Sequence, residues 1–565
     1  MSQTILTPIS LWKDFDDSLE LNPEILEERE ADGVIFRETC FSGRQTETGR
    51  VRIYGVEVRP AGMEKLPALL LLSEADRGVD LRLAERFARR GYCVFCMDYR
   101  GKTAETGRCT EYPSDVEYAN FLRTDRGMFH ADAGAKKTPW YEWTAAAIYA
   151  VRYLRSLPLV SVVGALGVRE GGDIVWKLMA ATDLACGICV NAAGWLAYRD
   201  VSKFGEEAVT DLDEEKRLFI AGIDSQSYAP FVRCPVLMLI ATTDLYVDAD
   251  KAYDTYVRVN KEQFATIDYS MGYGGAIDRK GVRNADMFMD KYLKDREIFL
   301  ARPLNISFEE GEDEKLYAAV TSDGQGESVA DAVYFAEDSR AAYRREWIRA
   351  IATQADAASG KKLFPLPVYC KTESIYAFAR TEYSSGFTVS SRISFKKLEK
   401  CYKNNLLHSN ILYDASMEGD CFVPADAHGE ALGECFPTDD GDAPHVAEGY
   451  GKIAGMTCPH GLKTYRIAQQ RYAPQEKSML HFCLYAEEDC YVDVSVSVFD
   501  AEGQHESYVS SLFCGGGGKW KNFVLPAHAF KNSLGAALTS FVGGRALQFT
   551  EEGGKSFIVT NILWI

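Results

Sequence analysis

The turn after the predicted strand Leu159–Leu166 is the part of this 565-residue chain where residue types and spacing most suggest chemistry. It reads Gly-Val-Arg-Glu-Gly-Gly from Gly167 to Gly172 and leads into a segment of helical period. Glycines allow the backbones of a strand and a helix to approach closely. Arg169, at the centre, would stand at a helix N-terminus, where the helix dipole favours anions and disfavours cations. We therefore expect a carboxylate beside Arg169.

From about residue 30 to residue 298 the chain resembles the α/β-hydrolase family, in particular its dienelactone hydrolase and acetyl xylan esterase-like branch. Three motifs carry the resemblance in this order: Asp98–Gly101 after an apolar run, the turn Gly167–Gly172, and Cys234–Leu237 leading to Asp244. The resemblance implies an α/β-hydrolase fold with a nucleophile at the centre of a Gly-x-Ser-x-Gly turn. It also implies that Asp244 is the acid of a catalytic triad and that a histidine follows the next strand.

Two of the three triad residues that the resemblance implies are absent from the sequence. Arg169 stands at the nucleophile position, and a guanidinium stays protonated at neutral pH. The segment Tyr269–Asp278, where the histidine is expected, contains none, and His130 is the only histidine between residues 30 and 298. Ser73–Gly78 also replaces the His-Gly pair that is common in the oxyanion segment of the family. We predict that ordinary Ser-His-Asp chemistry is absent, and we assign no catalytic residue.

Three hypotheses follow for this degenerate site. The favoured one is an Arg169–Asp244 ion pair that fills a dead site in a binding or scaffolding protein linked to glycan or small-ester metabolism. The second is a site where Arg169, with Arg100 and His130, binds a small anion such as a carboxylate or phosphate. The candidate ligand-binding residues are Arg169, Glu170, Asp244, Tyr99, Arg100, His130 and Glu74.

The third hypothesis is an active carbohydrate esterase, or another hydrolase, with a non-standard catalytic arrangement. Carboxylates and phenols near the turn could then supply acid–base groups, and these are Glu74, Asp76, Glu170, Asp244, Tyr99 and Tyr273. A histidine from the carboxyl-terminal part of the chain could also enter the cleft, and the candidates are His408, His428 and His445. The sequence predicts neither a cofactor nor a metal site.

The elements that must position these residues alternate apolar runs with helical segments, which is typical of an α/β fold with a mostly parallel sheet. Ala68–Ser73, Cys93–Met97 and Val236–Ala241 predict central strands that are buried on both faces. After Pro303 the apolar residues alternate with period two, which predicts an immunoglobulin-like β-sandwich. We predict an α/β-hydrolase fold followed by two all-β sandwich domains, with domains at residues 1–300, 301–400 and 401–565.

The segment from His408 onward resembles the galactose-binding-like jelly rolls found among carbohydrate-binding modules. The resemblance rests on Ile411–Asp414 and on the stretch from Gly518–Pro526 through Phe530 to Asn561–Trp564. It implies sugar binding by stacking on exposed aromatic rings, for which the candidates are Trp520, Tyr491 and Tyr508. The alternative is a purely structural or dimerisation domain.

The net charge indicates which classes of partner the chain can bind, and its cysteines indicate the compartment. The chain has 63 Lys and Arg against 82 Asp and Glu, a net charge of −19, and the last 158 residues hold 20 acidic and 10 basic residues. Nucleic acid and anionic membranes are therefore not expected as partners, whereas a small anion, an ester or an oligosaccharide is compatible, as is a homo-oligomer. The 15 cysteines are scattered and there is no sign of a secretion signal, so we expect a reduced, cytoplasmic protein.

Overall fold

A nine-stranded mixed sheet organises the first half of the chain. The computed structural model describes residues 5–105, 107–123, 131, 133–197, 212–271, 274–321, 326–339, 342–352, 354–356, 361–417, 419–425, 435–437, 443–459, 461–499 and 505–565. The strands of this sheet are β1 (Glu24–Ala31), β2 (Val34–Gln45), β3 (Arg50–Pro60), β4 (Leu66–Leu72), β5 (Cys93–Asp98), β6 (Val160–Val168), β7 (Gly187–Val190), β8 (Val236–Ala241) and β9 (Ala265–Ser270).

The strand order is that of the α/β-hydrolase fold, as predicted. The strands lie in the order β1-β2-β3-β5-β4-β6-β7-β8-β9, so β4 and β5 have exchanged places relative to the sequence. The first three strands are joined antiparallel and β3 is antiparallel to β5, whereas every pairing from β5 to β9 is parallel. The carboxyl ends of β4, β6 and β8 therefore meet at one edge of the sheet.

Helices cover both faces of this sheet. They are α1 (Pro8–Trp12), α2 (Leu81–Arg89), α3 (Pro139–Ser156), α4 (Glu170–Ala181), α5 (Glu214–Gly222), α6 (Ser225–Tyr228), α7 (Ala249–Val257) and α8 (Arg279–Leu293). Leu70 of β4 belongs to an apolar cluster that includes Trp143 of α3. Leu69 belongs to the cluster on the other face, which includes Phe87 of α2 and Phe288 of α8. Burial on both faces explains why the central strands are continuously apolar.

Two antiparallel sheets follow between residues 305 and 397. Their strands are β10 (Asn305–Glu310), β11 (Leu316–Thr321), β12 (Ser328–Glu337), β13 (Ile348–Ala350), β14 (Gln354–Asp356), β15 (Lys361–Pro365), β16 (Ser374–Tyr383), β17 (Thr388–Ser390) and β18 (Ser394–Lys397). One sheet has the order β10-β11-β15-β14, and the other has the order β13-β12-β16-β17 with β18 also paired to β16. Apolar side chains from both sheets form one core cluster, as expected for a β-sandwich. We call this part the middle sandwich.

The last part of the chain contains two further antiparallel sheets, which we call the tail sandwich. Its strands are β19 (Ile411–Tyr413), β20 (Val423–Pro424), β21 (His445–Glu448), β22 (Ala454–Thr457), β23 (Leu462–Thr464), β24 (Leu480–Tyr485), β25 (Cys490–Phe499), β26 (His505–Cys514), β27 (Lys521–Leu525), β28 (Gly544–Thr550) and β29 (Ile558–Trp564). One sheet has the order β21-β22-β29-β24-β27 with β19 beside β29, and the other has the order β20-β23-β28-β25-β26. Trp564 is buried in the core between them.

The middle sandwich packs against the last strand of the nine-stranded sheet. Arg380 of β16 donates from Nη2 to Asp268 of β9 over 2.7 Å and to Asp278 over 3.0 Å. The backbone amide of Tyr269 donates to Ser390 Oγ over 2.9 Å. These polar contacts cover what would otherwise be an open sheet edge. Within the described ranges, no helix is long and apolar enough to cross a membrane.

Candidate functional site

The turn at Arg169 has the strained backbone of a nucleophile elbow. Arg169 links β6 to α4 with φ 51° and ψ −115°, a conformation that residues with a side chain rarely adopt. The flanking glycines are required by space, because a Cβ on Gly167 would lie 2.2 Å from the Gly171 carbonyl oxygen. A Cβ on Gly171 would lie 2.1 Å from the carbonyl oxygen of Leu72. The turn therefore has the close-packed backbone of an elbow with an arginine at its centre.

The Arg169 side chain is held by two carboxylates. Its Nη2 lies 2.7 Å from Asp244 Oδ2, and its Nη1 donates to Asp244 Oδ1 over 3.3 Å. Its Nε donates to Glu74 Oε2 over 3.0 Å. Arg169 is 6% exposed and Asp244 is 1% exposed, so this cluster is shielded from solvent. The guanidinium also lies 5.2 Å from the centre of the Tyr246 ring, which favours a cation there.

The electrostatics of the cluster favour a permanently charged arginine. Burial disfavours the guanidinium, yet the neighbouring Asp244 raises the pKa of Arg169 above its ordinary value. Burial raises the pKa of Glu74, and Arg169 opposes that shift. Removing one partner of a buried ion pair typically costs about 3–5 kcal/mol, because the other charge is left in a medium that solvates it poorly. Two internal carboxylates thus balance the charge of Arg169, although the contact of its Nη2 with Asp244 Oδ2 lacks hydrogen-bond geometry.

The loop after β9, where the family keeps its histidine, packs directly on the ion pair. A Cβ added at Gly275 would lie 2.6 Å from Asp244 Oδ2 and 2.7 Å from Arg169 Nη2. Asn191 Nδ2 donates to the Gly275 carbonyl oxygen over 2.6 Å and holds this loop in place. Asp244 Oδ1 also accepts the amide of Val247 over 2.8 Å. No side chain fits at position 275 without displacing the Arg169–Asp244 pair.

The Glu170 carboxylate accepts a backbone amide from the loop after β4. In the α/β-hydrolase arrangement, the oxyanion is held by the amide of the residue after the nucleophile and by an amide from the loop after the third strand of the fold. Here the amide of Ala75, in that loop, donates to Glu170 Oε2 over 3.1 Å. The backbone amide of Glu170 also bonds to its own carboxylate, and the two amides oppose the rise in the pKa of Glu170 caused by burial. The sequence interpretation took Glu170 only as a ligand or acid–base candidate.

Tyr99 and Arg100 support this loop from behind. The Tyr99 hydroxyl donates to the Ser73 carbonyl oxygen over 2.8 Å, and Arg100 Nη1 donates to the Ala75 carbonyl oxygen over 3.0 Å. Arg100 Nε donates to Asp98 over 3.3 Å, so its guanidinium is used for holding the loop. Of the remaining sequence candidates, Asp76 is exposed, whereas His130 and Tyr273 lie outside the described residues.

A short segment of the tail, residues 435–437, enters the cleft above the elbow. Cys435 Sγ lies 3.0 Å from Arg169 Nε, and the Cys435 carbonyl oxygen accepts the amide of Ile277 over 2.8 Å. Phe436 is 2% exposed and its ring centre lies 5.9 Å from that of Phe87 on α2. Burial raises the pKa of the Cys435 thiol far above its ordinary value, and Arg169 only partly opposes this shift. We call this segment the plug.

The plug differs from the tail residues that the sequence suggested for the cleft. His408 is exposed and bonds to the Ala473 carbonyl oxygen, and His445 is exposed and bonds to that of Ala443. His428 lies outside the described residues. A signal for the plug did exist in the sequence, because the apolar pair Cys435-Phe436 interrupts a stretch that is otherwise rich in Asp, Glu and Gly.

A small cavity among the described residues borders the elbow at Glu74, Val168 and Phe436. Its volume is about 10 Å³, which is about the space that one water molecule needs. This cavity is too small to hold an ester. Within the described part of the chain, no group of three or more His, Cys, Asp or Glu side chains could hold a metal ion.

The three aromatic candidates of the tail sandwich lie in different surroundings. Tyr491 is 67% exposed and stands beside Phe513, which is 53% exposed, with 5.3 Å between the ring centres. Tyr508 packs against the core and its hydroxyl donates to Glu506. Trp520 donates from Nε1 to the Tyr450 carbonyl oxygen over 3.0 Å. The open aromatic surface is therefore Tyr491 with Phe513, a partner that sequence reasoning missed.

In comparisons with known proteins, this chain is similar in fold to several solved structures. No protein-family model matches the sequence, and no curated protein matches it either. Acetyl xylan esterase 1 from a Thermoanaerobacterium species is 17% identical, covers 47% of this chain and 89% of its own, and has a TM-score of 0.36. An acetyl xylan esterase from a Paenibacillus species is 13% identical, covers 51% of this chain and 92% of its own, and has a TM-score of 0.36. An acylaminoacyl peptidase from Pyrococcus horikoshii is 15% identical, covers 49% of this chain and 50% of its own, and has a TM-score of 0.33. The order of its nine strands gives the chain an esterase-like α/β-hydrolase fold.

Proposed function

We propose that this protein is a pseudoenzyme: an esterase-like binding or scaffolding protein of glycan or small-ester metabolism that performs no acyl transfer. The observation that carries the proposal is that the protein's own side chains occupy the nucleophile, acid and oxyanion positions of the hydrolase arrangement. Arg169 and Asp244 form an ion pair at the nucleophile and acid positions. Glu170 satisfies the amide of Ala75 in the oxyanion segment.

Attack on an ester needs a nucleophile and a base, and the elbow offers neither. The arginine stays protonated at any pH at which the protein is folded. Asp244 directs both its oxygens to Arg169, and one of them also accepts the amides of Tyr246 and Val247. Cys435 lies beside Arg169, but burial raises the pKa of its thiol, which keeps it in the weakly nucleophilic protonated form.

Stabilisation of a developing oxyanion is also lost. In active hydrolases, removing a single oxyanion donor lowers the rate by about 100-fold to 1000-fold. Here the donors already hold the Glu170 carboxylate, whose negative charge would repel a second anion at the same place. The same reasoning weighs against an external anion at Arg169, because Asp244 or Glu74 would have to be displaced first.

Turnover of p-nitrophenyl acetate and of acetylated xylo-oligosaccharides by the purified full-length chain tests the proposal. We expect no hydrolysis above the buffer rate from the wild type, and none from Arg169→Ser, because a restored serine would still lack a histidine. Arg258→Ser makes the same substitution at a half-exposed ion pair directly after α7, away from the elbow, and serves as the matched control. Hydrolysis by the wild type that Asp244→Ala abolishes would contradict the proposal and support an active hydrolase of non-standard arrangement.

The glycan part of the proposal rests on the tail sandwich. Tyr491 and Phe513 form an exposed aromatic pair on neighbouring strands β25 and β26, and such rings can bind the apolar face of a sugar. We expect the full-length chain to bind neutral glycans on an array, and expect Tyr491→Ala and Phe513→Ala to lose most of this signal. Leu534→Ala, at a highly exposed apolar residue elsewhere in the tail, should bind as the wild type does. An array without signal, or variants equal to the wild type, would contradict this part.

A further inference from the structure

A second cavity lies between the middle sandwich and the tail sandwich, away from the elbow. Its volume is about 250 Å³, which corresponds to about eight water molecules at about 30 Å³ each. The middle sandwich contributes Glu337, Pro367 and the segment from Glu346 to Arg349, and the tail contributes the rest of the wall: Leu406, Cys421, Arg466, Gln469, Arg471 and Tyr472. Small-molecule sites occur preferentially at such junctions between domains.

Three arginines line this cavity, although the tail is the most acidic part of the chain. Arg349 comes from β13, and Arg466 and Arg471 come from the tail. Arg349 and Arg471 form no ion pair with any residue that the structure describes. Arg466 donates to the Leu412 carbonyl oxygen over 2.5 Å, which fixes one end of its guanidinium without neutralising it. Three guanidinium groups therefore stand against two carboxylates in the cavity wall.

The two carboxylates of the wall do not cancel this charge. Glu337 Oε1 accepts the amide of Tyr369 over 2.8 Å, and Arg471 opposes the rise in the pKa of Glu337 that burial causes, so this carboxylate offsets one of the three positive charges. Burial raises the pKa of Glu346 to about 7, against the opposing influence of Arg545 and Arg466. Near neutral pH, Glu346 is thus only partly ionised, and the arginines outweigh the acids.

Two buried donors of the wall also lack an acceptor. Arg471 Nε and Trp347 Nε1 are both inaccessible to solvent and have no hydrogen-bond partner among the residues described. A buried donor without an acceptor typically costs about 1–3 kcal/mol. A bound oxygen atom would remove that cost, and a guanidinium binds the two oxygens of a carboxylate or phosphate in a matching planar geometry.

We propose that this cavity binds a small organic anion, a molecule of about the size of a hexose that carries one carboxylate or phosphate group. The anionic group lies against Arg471 and Arg349, and the uncharged part of the ligand fills the space beside Trp347 and Tyr472. The inference is independent of the elbow, since none of its residues takes part in the Arg169 cluster. An active elbow would leave it unchanged.

Titration calorimetry with the full-length chain tests this proposal, with glucuronate and glucose 6-phosphate as anionic probes and glucose as the neutral probe. We expect binding of at least one anionic probe and none of glucose, and the probe that binds identifies the preferred group. Arg471→Met and Arg349→Met should each raise Kd by about tenfold or more. Arg258→Met, directly after α7, removes a charge outside the cavity and should leave Kd unchanged.

Three results would overturn the proposal: no heat with either anionic probe, equal affinity for glucose, or unchanged Kd in both cavity variants. Arg349 is an exposed residue, so Arg349→Met is expected to fold normally and keeps the test valid if Arg471→Met does not fold. Thermal unfolding of each variant without ligand separates loss of folding from loss of binding.

Discussion

Arg169 combines a backbone conformation that side chains rarely adopt with a buried charge that two carboxylates neutralise. A strained conformation of this kind typically costs about 1–3 kcal/mol and persists only where the surroundings impose it. At this elbow the surroundings are the close-packed glycines on either side. The ion pairs with Asp244 and Glu74 fix the position of the arginine side chain above this strained turn.

Arg169→Met should destabilise the fold by about 3–5 kcal/mol, because it leaves Asp244 and Glu74 buried without their cation. The double variant Arg169→Met/Asp244→Asn should lose less than the sum of the two single changes, with a coupling of about 1–3 kcal/mol. Urea denaturation of the four proteins measures these free energies of unfolding. Additivity of the single changes within about 0.5 kcal/mol would show that the pair is not coupled.

From the raised pKa of Glu346 we predict how the stability of the fold depends on pH. Its pKa rises from 4.5 to about 7 on burial, so the folded state holds this proton more tightly than the unfolded state does. The contribution of Glu346 is therefore most favourable below pH 4.5 and declines as the pH rises through about 7. Glu346→Gln should flatten the decline of Tm over this range relative to the wild type. Parallel Tm curves for the two proteins would contradict the assignment.

Some contacts of the elbow residues could be predicted from the sequence, and others could not. The helix dipole alone required a carboxylate beside Arg169, and the structure has Asp244 and Glu74 there. The contact of Glu170 with the Ala75 amide could not be predicted, because a sequence does not show the direction in which a carboxylate points at the start of a helix. Cys435 was hidden for another reason: it is 266 residues away from its contact, and no local pattern encodes such a pairing.

At the scale of elements, burial decided which strands could be predicted. Val236–Ala241 was predicted with the bounds that β8 has, because a strand covered on both faces is a continuous apolar run. β1, Glu24–Ala31, was missed because it is an exposed edge strand whose sequence is mostly charged. The alternating apolar residues of Thr388–Phe395 predict a single strand, whereas the structure has β17 and β18 there. The bend between them lets Ser390 reach the backbone of β9.

The plug gives a prediction about access to the elbow. Phe436→Ala removes a buried ring from the cluster around α2, which typically costs about 3–5 kcal/mol if the whole ring is lost from a core. Because the plug is then held less firmly, alkylation of Cys435 by iodoacetamide should become faster than in the wild type. Peptide mass mapping follows the modification, with the exposed Cys401 as the internal reference. Equal protection of Cys435 in both proteins would show that Phe436 does not hold the plug.

At the scale of the whole molecule, Arg380 joins the middle sandwich to the nine-stranded sheet. It bonds to Asp268 and Asp278, and all three lie at the junction between the two parts. Arg380→Met should therefore lower the free energy of unfolding by about 3–5 kcal/mol and split the calorimetric transition of the two parts. Arg283→Met, which removes a half-exposed ion pair with Glu382 at the same junction, should cost less than about 1 kcal/mol. A single unshifted transition in Arg380→Met would contradict this coupling.

We propose above that the protein's own side chains occupy the elbow, the acid position and the oxyanion amides, and that the protein performs no acyl transfer. Intact mass spectrometry after incubation of the wild type with a fluorophosphonate measures this most directly, because such reagents trap activated nucleophiles of hydrolases. We predict that the mass of the full-length chain stays unchanged. A stoichiometric adduct that Asp244→Ala abolishes would contradict the claim and reveal an active nucleophile.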